Sequence, residues 1–181
     1  STAITISDNT VIRAKIFKAN HIPSRTESRT YITNTDHSLP IVTLVSDPDN
    51  FFDVNQGLYV YGPEGNYDPY ILPFYGANFW NDWERDVHFS FYEPNGELGI
   101  ALDAGVKIFG NWSRGNDQRS MSIFARGRYG FSDIEYPIFP QLDYDKFEAI
   151  VLRSSGNDWM RTNIKDVIAT SLMDGSGIET Q

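Results

Sequence analysis

Apolar and polar positions alternate with a period of two along most of this chain, and only a stretch near the C-terminus changes to a helical period. From Thr10 to Phe17 the alternation is rough, with Val11, Arg13, Lys15 and Phe17 set against Ile12, Ala14 and Ile16. Ser28 to Thr33 is β-rich around Tyr31 and Ile32. Pro23 and Ser24 in the intervening HIPSRTE are turn formers, so two strands joined by a turn are predicted before residue 34. After the polar linker Asn34 to Ser38, Pro40 opens Ile41–Val45, whose near-continuous apolar run predicts a strand buried on both faces. Arg85 to Glu93 alternates most cleanly, with Val87, Phe89 and Phe91 on one side and His88, Ser90 and Tyr92 on the other. Pro94-Asn95-Gly96 then signals a turn and Glu97 to Leu102 returns, which predicts a hairpin. A second hairpin is predicted where Val106, Ile108 and Met121, Ile123 flank the loop Asn111–Gln118. Phe147–Leu152 reads as a further apolar strand.

Helical signals are fewer. Asp47-Pro48 is a helix start, with Asp capping free N–H groups and Pro tolerated at the first helical position, so Asp49 to Asp53 is predicted as one turn ending near Gly57. Thr162 to Leu172 carries Ile164, Val167, Ile168 and Leu172 at helical spacing, with Asn157 or Asp158 as the cap and Gly175 and Gly177 at its end. Leu58–Tyr61 reads as a short strand, whereas Gly62 to Asn81 and the Pro-rich Phe131 to Asp145 have no regular period. The predicted fold class is therefore mainly β (α+β). It is an antiparallel sheet or sandwich-like domain with one C-terminal helix and a short helical turn after Asp47.

At 181 residues and 40% hydrophobic content the chain suits one domain of ordinary size, or one domain plus a short appendage. No run approaches the apolar length of a membrane span, so membrane insertion is not expected. A formal charge of −9 argues against a general nucleic-acid surface, which needs a basic face. With no cysteine there are no disulfides, thiolate nucleophiles or Cys-type zinc sites. The chain starts at Ser1 without Met or a leader pattern, as expected of a processed product or a fragment.

Candidate chemistry concentrates in two places. Asn111 to Gln118 holds a glycine, amides and Arg114 between two strands, an arrangement able to present donors to an anion, although a solvated surface hairpin is the simpler account. The loop rings Tyr67, Tyr70, Phe74, Tyr75, Phe79, Trp80 and Trp83 form either a platform for sugar rings or the packing of the loop onto the sheet. Asp47, Asp49, Asn50, Asp53 and Asn55 lack EF-hand spacing, so capping explains them better than calcium, and no metal site is expected. His21, His37 and His88 are dispersed, no nucleophile elbow or Walker-type loop occurs, and the sequon Asn111-Trp112-Ser113 fits chance occurrence.

The stretch GVKIFGNWSRGNDQRSMSIFARGRYG (Gly105–Gly130) resembles the motif of the CotH family, atypical secretory kinases named after a spore-coat protein. That motif is a Gly-x-x-Ile-x-Gly-x-x-Ser-Arg strand and turn followed by a Lys-Lys-Ser strand, and Gly105, Ile108, Gly110, Ser113, Arg114 and Ser120 match it. LPIVTLVSDPDNFFDVNQGLYV (Leu39–Val60), WERDVHFSFYEPNG (Trp83–Gly96) and VLRSSGNDWMRTNIKD (Val151–Asp166) agree with the same family in the same order. TVIRAKIFKANHIPS…TYI is similar to the end of a chitobiase C-terminal-type immunoglobulin-like module. The resemblance thus divides the chain into terminal strands of a partial Ig-like module (1–34), the N-terminal portion of a CotH-like domain (38–175) and a tail (176–181).

The resemblance implies a nucleotide-side part of an atypical kinase domain from an exported, periplasmic or surface bacterial protein. Gly110, Ser113, Arg114, Arg119 and Ser120 are the implied nucleotide-binding residues, and Arg153, Asn157, Asp158 and Arg161 are structural or substrate-side candidates. The catalytic and metal-binding aspartates are expected C-terminal to this chain. The chain alone is therefore expected to be inactive and to carry no cofactor, with ATP and Mg or Mn belonging to the full-length parent. Gln118-Arg119-Ser120 departs from Lys-Lys-Ser, so either Arg119 takes over phosphate binding or the parent is a pseudokinase-like relative. The alternative is a non-catalytic carbohydrate-binding or architectural β module using Tyr67, Tyr70, Tyr75, Trp80 and Trp83. Implied partners are a protein substrate or a polysaccharide, with the remainder of the parent chain.

Overall fold

In the computed structural model, which describes residues 3–33, 38–155, 158, 160–173 and 176, β-structure dominates as the alternating pattern requires. The strands are β1 (Thr10–Ala14), β2 (Glu27–Tyr31), β3 (Ile41–Val45), β4 (Arg85–Tyr92), β5 (Leu98–Phe109), β6 (Ser120–Phe124), β7 (Ile134–Glu135), β8 (Lys146–Phe147) and β9 (Ala149–Leu152). The helices are α1 (Pro48–Phe52) and α2 (Lys165–Ser171), with three short 3-10 turns at Asn78–Trp80, Trp112–Gly115 and Gly127–Tyr129. β1 pairs with β2 and β7 with β8, while the main sheet has the order β3-β4-β5-β6-β9. The fold is mainly β, with antiparallel pairing throughout the registers resolved here.

The chain packs as two units. The first takes in Ser1–Asp47, Asp86–Gly105 and Ala125–Glu148, and its core holds Phe89, Leu102, Ala104 and Ile134, each at most 2% exposed. Here β3 pairs with β4, Ile41 opposite Tyr92 and Val45 opposite His88. The second takes in Pro48–Arg85, Val106–Phe124 and Ala149–Gln181, with Leu58, Phe79, Val106 and Ile123 fully buried. In it β6 pairs with β9, Met121 opposite Leu152 and Phe124 opposite Ala149.

Several elements differ from their sequence expectation for physical reasons. β3 is half-buried at all five positions rather than buried on both faces, because it is an edge strand with a single neighbour. The side of β4 read as polar is instead covered: Ser90 and Tyr92 are buried, and the Tyr92 hydroxyl donates to the carbonyl of Thr30 at 2.8 Å. Leu58–Tyr61 is not a strand. Its amides are captured by the preceding helix, Leu58 N–H donating to Asn50 O and Tyr59 N–H to Phe51 O, both at 2.9 Å.

The two predicted hairpins share one continuous strand, β5, where two separate strands were expected. Phe147–Leu152 breaks at Glu148, its first part pairing with β7 and its second with β6. Helix α2 begins at Lys165 rather than Thr162, and the Asp158 carboxylate caps it from seven residues upstream by accepting the Lys165 N–H at 3.2 Å. Asn157, Gly175, Gly177, His37 and the rest of the 34–37 linker lie outside the described residues.

Candidate functional site at the β5–β6 turn

Gly110 ends β5 with φ of +108°, a left-handed conformation that side chains resist. A Cβ there would lie 2.5 Å from the Ser113 hydroxyl, so the turn needs glycine for both conformation and space. The 3-10 turn Trp112–Gly115 follows, and the chain enters β6 at Ser120.

The two arginines of the motif converge on this turn and fasten it. Arg114 donates from Nε to Gly110 O at 2.7 Å and from Nη1 to Phe79 O at 3.0 Å, with its guanidinium 5.6 Å above the Trp80 ring. Arg119 donates from Nε to Arg114 O at 2.7 Å and from Nη1 to Tyr59 O at 3.2 Å. Its guanidinium lies 4.0 Å from the centre of the Phe79 ring and 4.9 Å from that of Tyr59, and the residue is 6% exposed. Burial pushes both guanidinium groups down from their ordinary value, yet arginine starts so far above neutrality that both stay cationic. Arg119 thus spends its Nε and Nη1 on backbone carbonyls and braces the turn.

Beside the turn, Lys107 on β5 forms an ion pair with Asp82. The hydrogen bond and charge of Lys107, with a smaller contribution from Arg114, hold the Asp82 carboxylate below the usual range. This pair had no sequence signal, since 25 residues of chain separate its members.

Ser120 joins the motif strand to the turn after β9. Its buried hydroxyl lies 3.0 Å from the Ser154 hydroxyl and accepts the Ser154 N–H at 2.9 Å. Arg153 is exposed and donates from Nη2 to Asp166 on α2 at 2.7 Å. Asp158 is 6% exposed, accepts from the Thr162 hydroxyl and the Lys165 N–H, and is held below the usual carboxylate range chiefly by the Thr162 bond. Arg161 is exposed, its N–H donating to Asp158 O at 2.9 Å. Arg153 and Asp158 thus tie α2 to the end of β9.

The aromatic loop is largely packed on itself. Tyr61 stacks on Tyr67 and meets Phe74 and Phe79 edge-on. Tyr75 lies 4.6 Å from Trp80 at 43°, so these two rings are not coplanar, and the Trp80 Nε1–H donates to Pro73 O. Trp83 is half-buried under the Arg85 guanidinium, and Phe79 is fully buried. Tyr70, at 93% exposed, is the ring that projects furthest into solvent among these.

Among the acidic residues after β3, Asp53 accepts the N–H groups of Asn55 and Gln56 at 2.9 and 3.1 Å, a turn-capping role. No group of three or more metal-ligating side chains is assembled among the described residues. Sequence reasoning missed Tyr59 and the contact of Phe79 with Arg119, which lie 60 and 40 positions before it, and Ser154, which completes Ser120. The comparisons with family models, with characterised proteins and with solved structures find no match for this chain.

Proposed function

We propose that this chain is the nucleotide-side part of a CotH-like atypical kinase domain, with the β5–β6 turn as its phosphate-facing element. One observation carries the reading: two of the stretches that carry the resemblance, Gly105–Gly130 and Val151–Asp166, meet at the buried contact of Ser120 with Ser154, 34 positions later in the chain. A phosphotransferase needs a rigid donor-bearing turn before it needs anything else on this side of the nucleotide, and Arg114 and Arg119 supply the rigidity. In this reading Ser113 and the turn backbone face the phosphates, and the arginines are positioning residues. The aspartates that bind metal and position the acceptor hydroxyl belong C-terminal to Gln181, as the resemblance implies. The apolar face of α2, with Ile164, Val167, Ile168 and Leu172 all more than half exposed, has the character of a surface that such a following segment covers.

The test is a thermal shift with Mg-ATP on the parent protein extended to its natural C-terminus. Ligand at 100 times its Kd stabilises the native state by about 2.7 kcal/mol, which is readily measured. The shift is expected in wild type, lost in Arg119→Ala because the turn is unfastened, and kept in Arg13→Gln, which lies in the other unit. Absence of a shift with ATP, ADP and GTP would sink the reading.

A further inference from the structure

The connection between β1 and β2, residues 15–26, presents three large apolar side chains to solvent: Ile16 is 73%, Phe17 74% and Ile22 95% exposed. The backbone beneath them is tied. Ile16 O accepts the Ser24 N–H at 3.1 Å, and the Ile16 N–H donates to Ser24 Oγ at 3.0 Å, which closes the neck of the loop. Lys18 O accepts the His21 N–H at 3.1 Å, and Asn20 turns the chain between them at φ of +60°. Asparagine is one of the few residues besides glycine that take this left-handed conformation readily. The closure between Ile16 and Ser24 brings Ile22 to the same end of the hairpin as Ile16 and Phe17. The tip is thus a folded loop that holds apolar side chains in water with no packing to offset their exposure.

The charge beside these side chains is positive. Lys15 Nζ lies 5.7 Å from the centre of the Phe17 ring, and Lys18 follows that residue directly. Both lysines are exposed, and neither joins an ion pair among the described residues. Residues 1–33 hold five of the 15 basic residues and two of the 24 acidic ones, a net +3. Residues 34–181 therefore carry 10 basic against 22 acidic residues, a net −12. The β1–β2 hairpin is basic with an apolar tip in a chain that is otherwise acidic.

We propose that the tip of the β1–β2 hairpin docks on an anionic lipid surface, with Ile16, Phe17 and Ile22 entering the boundary between headgroups and acyl chains and Lys15 and Lys18 meeting lipid phosphates. Attachment at a lipid interface sums two contributions, and the tip supplies both. Apolar area leaves water, and each basic residue close to an anionic surface adds roughly fivefold in affinity. The charge distribution also orients the encounter, because the same surface attracts the hairpin and repels the acidic remainder of the chain. A protein partner suits the tip less well. A standard interface takes about 800 Å² from each side, more than three side chains on one turn present. Docking of this kind is peripheral and involves no spanning segment.

The experiment is flotation of the chain with vesicles of equal parts phosphatidylcholine and phosphatidylglycerol, and with vesicles of phosphatidylcholine alone. Binding to the mixed vesicles is expected to be at least about tenfold tighter and to weaken with added salt. Combining Lys15→Gln with Lys18→Gln is expected to weaken it by about thirtyfold, as two lysines at roughly fivefold each require. A label reports which part of the chain meets the lipid. Because the chain has no cysteine, Ile22→Cys accepts a single nitrobenzoxadiazole group, and Tyr70→Cys, exposed in the second unit, gives the matched control. Blue-shifted emission at position 22 and none at position 70 on adding mixed vesicles supports the docking. No binding to the mixed vesicles, equal binding to phosphatidylcholine alone, unchanged binding of the double lysine variant, or a shift at position 70 as large as that at position 22 overturns it. Self-association in sedimentation that the double lysine variant loses, without vesicle binding, also overturns it and assigns the tip to the acidic surface of a second copy.

Discussion

Replacing Arg119 by alanine tests whether this residue is a brace or a surface cation. The side chain is 6% exposed and makes two charge-assisted bonds, to Arg114 O at 2.7 Å and Tyr59 O at 3.2 Å, above the Phe79 ring. Each bond to a charged donor contributes about 1.5–3 kcal/mol, and losing the donor leaves two carbonyls without that partner. Cation–π contact with Phe79 and Tyr59 adds roughly 0.5–2 kcal/mol. Against this, the cost of desolvating the guanidinium is recovered on its removal, and that cost is what pushes its pKa down. The net loss is about 3 kcal/mol, which for a chain of this size lowers Tm by roughly 6–12 °C. Urea denaturation followed by circular dichroism measures it directly. Arg119→Lys keeps the charge but cannot reproduce the planar fork, and so is expected to lose about half as much. A loss below about 1 kcal/mol for Arg119→Ala, or no loss for Arg119→Lys, refutes the brace.

Three further outcomes are expected. Gly110→Ala places a Cβ against Ser113 in a left-handed backbone and is expected to destabilise by about 1–3 kcal/mol in chemical denaturation. Ser120→Ala leaves the buried Ser154 N–H without its acceptor, a loss of about 1–3 kcal/mol that Ser120→Thr should partly restore if the methyl is accommodated. Asp82 is held below its ordinary value of 3.8, so its contribution is complete above about pH 4 and is lost as pH falls through the lower folded-state value. Asp82→Asn is therefore expected to be less stable than wild type at pH 6, to equal it near pH 2, and to lose the difference in high salt.

Local periodicity made the strands legible: the sequence reading located β3, β4, β6 and the start of α1 to within a residue or two, although it split β5 in two, because alternation and turn residues act over short distances. It failed where distant chain decides the outcome. Leu58–Tyr61 has strand-forming residues, but the carbonyls of α1 take its amides first. The polar side of β4 reads as solvated until the Tyr92 hydroxyl is seen to reach Thr30, 62 residues earlier. At the site, the spacing of Gly110, Ser113 and Arg114 marked the turn correctly, whereas the role of Arg119 depends on Tyr59 and Phe79 and is invisible in its own neighbourhood.

Hydrogen–deuterium exchange of the parent protein with and without Mg-ATP tests the central claim most directly, because it reports where the nucleotide sits and not merely whether it binds. The expected result is slowed exchange concentrated in Gly110–Ser120, extending to the segment around Ser154 that Ser120 holds. Unchanged exchange in Gly110–Ser120 at saturating Mg-ATP would contradict the assignment of this turn as the phosphate-facing element.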